Sequence, residues 1–156
     1  MKKKVNWKIL VISLLIVYGI AFIGSIFTST NTNSEWYQAI KPSLTPPNYV
    51  FPVVWNFLFL LISFSLYFAW TNSNRKNRIK IAIVFGINFV LNILWSALFF
   101  ALKKPNIAFF ELIIFWVSIL LMIFTTWKVD KKSSWLLVPY LIWVTFAGIL
   151  NYLIAF

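Results

Sequence analysis

The run from Ile81 to Leu102, IAIVFGINFVLNILWSALFFAL, holds 22 residues without one charged side chain. At about 1.5 Å per residue, a helix of that length crosses the roughly 30 Å hydrocarbon core of a bilayer. A helix is the required form, because lipid offers backbone N–H and C=O groups no hydrogen-bond partner. Four more runs of the same kind follow the same logic: Ile9–Phe27, Val50–Trp70, Ile107–Trp127 and Trp135–Phe156, so that all five have 19 to 22 residues. The sequence therefore predicts an all-α integral membrane bundle of five transmembrane helices, one domain over residues 1–156. The second to fourth connections have 4 to 10 residues, which forces sequential antiparallel neighbours. The first is different, with 22 residues from Thr28 to Tyr49.

Composition points the same way. Of 156 residues, 62% are hydrophobic and 11% charged, whereas a soluble domain carries about 25% charged residues. There is no Cys and no His, so thiolate chemistry, imidazole acid–base catalysis, the usual zinc sites and a histidine ligand for haem iron are excluded. No metal site is expected. The net charge of +11 does not form one basic stripe interleaved with stacking aromatics, so nucleic acid is not an expected partner. The cations punctuate the apolar runs instead. Lys2, Lys3, Lys4 and Lys8, then Arg75, Lys76, Arg78 and Lys80, then Lys128, Lys131 and Lys132 put eleven basic residues on one side. Lys41, Lys103 and Lys104 put three on the other. Cytoplasmic loops collect Lys and Arg, so the bias predicts a cytoplasmic amino terminus, with the long first loop and Phe156 on the far side. Trp7, Trp70, Trp127 and Trp135 lie near span ends and fit interfacial belts. The first span follows three lysines as a secretory signal does, but its apolar run exceeds the about 7 to 15 residues of a signal core and no A-x-A site follows, so it is expected to be retained.

Polar residues inside the spans are few. Asn88, Asn92 and Trp95 recur at i, i+4 and i+7 and share one helical stripe, flanked by Ser96. Such amides serve either as glue between helices or as ligand contacts. Tyr140, Trp143, Ala147 and Asn151 share a face of the fifth helix, and an aromatic above a small residue leaves a concavity. Trp55 and Phe59 form a similar stripe on the second, beside Asn56. Glu111 is the one carboxyl in a span; it should face the bundle and pair with Asn88 or Asn92, be protonated, or snorkel to the interface. Ala82 with Gly86 and Ala97 with Ala101 have the small-residue spacing that lets third helices approach in a homodimer, although such pairs also serve intramolecular contacts. The first loop gathers Trp36, Tyr37, Lys41, Pro42, Pro46 and Pro47. Proline restrains its own backbone and that of its predecessor, so the stretch is expected to be an ordered, extended lid over a ligand cavity.

Three segments, in order, carry a resemblance. They are Trp36-Tyr37-x3-Lys41-Pro42-x3-Pro46-Pro47-x3-Phe51-Pro52-x2-Trp55; Leu91-Asn92-x2-Trp95-Ser96-x2-Phe99-Phe100 with Ala108-x2-Glu111; and Pro139-Tyr140-x2-Trp143-x2-Phe146-Ala147-x2-Leu150-Asn151. From Trp36 onward the chain resembles the TspO/MBR family, the tryptophan-rich sensory proteins of bacteria and the translocator proteins (peripheral benzodiazepine receptors) of mitochondria. The resemblance implies a five-helix protein of a bacterial cell membrane whose cavity, open toward the first loop, binds a tetrapyrrole such as protoporphyrin IX or another apolar small molecule. It implies a sensory or transport role, with the porphyrin as ligand and no obligatory cofactor. The family's pocket positions fall on Trp55, Asn92, Trp95, Trp143, Ala147 and Leu150, and its lid positions on Trp36 and Pro42. Some members promote light-dependent porphyrin degradation through two cavity tryptophans, here Trp55 and Trp143, so enzyme-like activity is an alternative; a structural or assembly partner is another. The sequence departs from the family at Leu44, where a lid Trp is usual. It departs again after Tyr152, where only apolar residues stand in place of the basic residue that the animal sterol-recognition pattern needs.

Overall fold

The computed structural model describes residues 5–29 and 31–156; the amino-terminal Lys2, Lys3 and Lys4 of the charge argument lie outside them. Among the described residues every regular element is helical: α1 (Trp7–Thr28), α2 (Glu35–Ile40), α3 (Val50–Thr71), α4 (Arg75–Ser96) continued by a π-helical turn (Ala97–Ala101), α5 (Pro105–Trp127), α6 (Lys131–Trp135) and α7 (Val138–Ala155). Five helical stretches are long and apolar enough to cross a membrane, which makes the chain a multi-pass membrane protein. Around the bundle the order is α3, α1, α4, α5, α7, with α3 and α7 meeting sparingly along their length and held together at one end through α6.

Caps explain where the elements start. The Asn6 side chain accepts the Ile9 amide hydrogen bond, and that of Asn74 accepts from Asn77, so α1 and α4 begin earlier than their apolar runs. The basic first two turns of α4 carry it beyond the apolar zone. The fifth helix starts three residues later than the run Trp135–Phe156 predicts, and a short separate helix precedes it. Pro139 has no N–H to give and its ring clashes with a helical carbonyl four residues back, so α6 ends at Trp135 and α7 starts at Val138. The loop is not extended throughout either. Ser34 caps a short helix by accepting from the Tyr37 amide, and Pro42 forces Lys41 out of helical angles and ends it.

Two apolar clusters hold the bundle. The larger runs through its middle, from Val17 through Leu58, Ile62, Phe85 and Phe115 to Tyr140. The smaller sits at the loop end and packs Tyr37 of α2 against Phe99, Phe100 and Ala108. At the opposite end the arginine of Arg78 lies 5.6 Å from the Trp70 ring centroid, and Lys131 lies 5.4 Å from that of Trp127. Exposed Trp7, Trp127 and Trp135 ring that same end, as an interfacial belt does.

A tryptophan-walled cavity under the first loop

Buried hydrogen bonds fix the helices behind the cavity. Asn88 donates to Ser118 Oγ at 2.8 Å and accepts from the Tyr140 hydroxyl at 3.1 Å, so α4, α5 and α7 are tied at one level. Asn92 donates to the same hydroxyl at 3.4 Å. Higher up, Trp95 Nε1 donates to Asn151 Oδ1 at 3.1 Å, and Asn151 Nδ2 donates to the Pro105 carbonyl at 2.8 Å. The polar stripe of α4 is thus glue between helices, and Asn92 and Trp95 also face an open space.

That space is a cavity of about 780 Å³ bounded by α1, α3, α4, α7 and the first loop. Its volume falls within the about 300 to 1,000 Å³ of sites that enclose drug-sized ligands. Trp55, Asn92, Trp95, Trp143, Ala147 and Leu150 all line it. Neighbouring rings set the indole planes: Trp55 stacks on Phe59 with centroids 5.2 Å apart, Trp95 stacks on Phe99 at 5.2 Å, and Trp143 meets Phe51 edge-on at 5.9 Å. Gly24 of α1 lines the cavity beside α4: a Cβ there would reach ordinary contact with Asn92 Oδ1 at 3.8 Å and Ser96 Oγ at 3.9 Å. Among the described residues, no Lys, Arg, Asp or Glu lines the cavity.

Trp36 and Pro42 are not among the lining residues. Trp36 turns its ring against Phe99 at 6.0 Å and under Lys103, whose Nζ lies 5.8 Å from the ring centroid. Tyr37, the next residue and so about 100° around the same short helix, takes the place facing the cavity, and its burial raises the hydroxyl above the usual phenol range. The loop closes on itself over the mouth, where Asn48 Nδ2 donates to Asn33 Oδ1 at 2.8 Å and Gln38 Nε2 to the Thr32 carbonyl at 2.9 Å. Tyr18, Gly24 and Asn33 also line the wall and escape a reading of the sequence, because the first helix and the start of the loop have no polar periodicity or motif of their own. Glu111 lies outside the cavity. It is 7% exposed and neither carboxyl oxygen has a hydrogen-bond partner, since Asn88 and Asn92 are engaged with Ser118 and Tyr140. Neither the expected amide pairing nor snorkelling occurs. Ala82 and Gly86 of α4 face outward, with open space where a Gly86 side chain would be.

Fold and site together define a helical membrane protein with an aromatic-walled chamber closed at one end by a folded loop. Comparison with known proteins gives the class its family: the TspO/MBR family model matches residues 11–156, and the chain belongs to that family. It is 36% identical over 152 residues to the Tryptophan-rich protein TspO of Chlorobaculum tepidum, covering 96% of each chain. It is 39% identical over 146 residues to the protein of the same name from Archaeoglobus fulgidus, covering 93% of this chain and 94% of the relative. The Translocator protein of Bos taurus is 26% identical over 134 residues, covering 84% of this chain and 79% of the relative.

Proposed function

We propose that the protein binds a flat tetrapyrrole of the protoporphyrin IX type in this cavity and serves as a sensor or transporter for it. One observation carries the reading: indoles from three separate helices converge on a single chamber that, among the described residues, holds no ionised side chain. Ring stacking adds roughly 0.5 to 1.5 kcal/mol per pair beyond area burial, which favours a planar aromatic guest over an acyl chain. Relatives named tryptophan-rich sensory protein and translocator protein support a sensing or transport role. The protein sits in a bacterial cell membrane with its amino terminus cytoplasmic, as the loop charges favour, and a second copy meets the outward small-residue face of α4. Light- and oxygen-dependent breakdown of the bound porphyrin is a second activity of this site, favoured by the position of two oxidisable indoles, Trp55 and Trp143, on its wall. Its rate should exceed that of free tryptophan in detergent and fall in variants of either residue.

Binding is tested by titrating protoporphyrin IX into the purified protein and following intrinsic tryptophan fluorescence. Saturable quenching is expected, weakened about tenfold by Trp55→Ala or Trp143→Ala, in line with the loss of one ring contact. Helix content by circular dichroism should be unchanged. Full binding by the double variant would exclude this cavity.

A further inference from the structure

Cations crowd the end of the bundle away from the first loop, and one acid stands among them. The chain has three acidic residues: Glu35 lies in α2 at the loop end, Glu111 is buried in α5, and Asp130 alone shares the cationic end. Asp130 is already engaged, since its carboxylate accepts from Asn72 Nδ2 and from the Lys132 amide. The first two turns of α4 carry Arg75, Lys76, Arg78 and Lys80 with no acid between them. Arg75 and Arg78, three residues apart, share one face, where like charges repel unless an anion lies between them. Arg78 is held in place. Its Nε donates to the Trp70 carbonyl at 3.2 Å and its guanidinium carbon lies 5.6 Å from the Trp70 ring centroid, so the end of α3 fixes a half-buried cation. Neither of its Nη groups has an acceptor among the described residues.

We propose that Arg75 and Arg78 form a binding site for the phosphate of an anionic phospholipid, separate from the chamber and at the opposite end of the bundle. The depth fits. The apolar run of α4 starts at Ile81, and at about 1.5 Å per residue Arg78 stands roughly 4.5 Å and Arg75 roughly 9 Å beyond it. The polar zone of one leaflet is about 5 to 7.5 Å deep, so the two side chains bracket the phosphate level. Guanidinium forks match phosphate oxygens, and the Trp70 ring backs the inner fork. Ile79 and Ile83 are 56% and 54% exposed on the same helix and give an acyl chain its track. A zwitterionic lipid carries its own ammonium beside the phosphate, which the crowded cations repel.

The test gives the full chain, purified in neutral detergent, equal amounts of phosphatidylglycerol and phosphatidylcholine with matched chains, and counts the retained lipids by native mass spectrometry. Phosphatidylglycerol should be retained in clear preference. Arg75→Gln and Arg78→Gln should each lower that preference about fivefold, the effect of one basic residue at a membrane surface. Arg75 is exposed and its side chain bonds no described residue, so its replacement reads the site without disturbing the packing. Lys128→Gln combined with Lys131→Gln removes two charges from the same end and should leave the preference within about twofold, because those lysines stand outside the site. Inorganic phosphate in large excess should not displace the lipid, which is held by its chain as well as its headgroup. The proposal is overturned if neither lipid is retained or both are retained equally, if the lysine pair weakens the preference as much as the arginines do, so that diffuse charge decides, or if inorganic phosphate displaces the lipid, so that the site takes any phosphate.

Discussion

Glu111 shows how far a single residue can be read from its neighbours in sequence. Its place on the inward face of α5 follows from the apolar stripe of Ala108, Leu112 and Phe115, which are buried with it. Its partner does not follow, because pairing depends on which helix claims each amide first. Tyr140 and Ser118 take Asn88 and Asn92, and both Glu111 oxygens are left without a hydrogen bond. An unsatisfied buried group costs about 1 to 3 kcal/mol, so Glu111→Met should stabilise the protein by about that amount, visible as a higher midpoint of thermal unfolding in detergent. A lower midpoint would mean that Glu111 has a partner after all. Tyr140→Phe acts in the opposite direction, since it deprives Asn88 and Asn92 of a shared hydroxyl; about 1 to 3 kcal/mol of stability should be lost in the same assay, and no loss would deny the network.

Among the elements, the five spans were legible because length and apolarity alone define them, and Trp55, Trp95 and Trp143 were legible as wall residues because helical periodicity puts Trp55 and Trp143 on faces with other aromatics and Trp95 on a face with two amides. The short elements were not. α2 has six residues, below what propensity can sustain in isolation, and exists because Tyr37 docks on Phe99 and Phe100. The π-helical turn that presents those two rings has no sequence pattern of its own, and turns of this kind recur beside functional sites. Trp36 and Tyr37 are adjacent, so only the docking geometry decides which of them faces the chamber. Tyr37→Ala should therefore free α2: hydrogen exchange at residues 35–40 should rise by at least about tenfold while the spans stay protected. Unchanged exchange would show that the loop's own hydrogen bonds suffice to hold it.

For the whole molecule, the arrangement of helices sets the chamber, and the loop charges carry the expectation of sidedness. Sequence carried the sidedness expectation in its loop lysines and arginines and hinted at the chamber through the aromatic stripes and the proline-rich loop; the sparse meeting of α3 and α7 comes from tertiary packing. Because the chain lacks cysteine, sidedness can be measured cleanly with single replacements at two exposed positions. An impermeant maleimide added to intact cells should label Ser43→Cys and spare Lys76→Cys, and the reverse pattern would invert the assignment. The most direct measurement of the account fills the chamber from within. Ala147→Trp places an indole on the wall between Trp143 and Asn151, and protoporphyrin titration of this variant should show no saturable quenching while its unfolding midpoint stays at the parent value. Undiminished binding in the filled protein would mean that the macrocycle sits elsewhere.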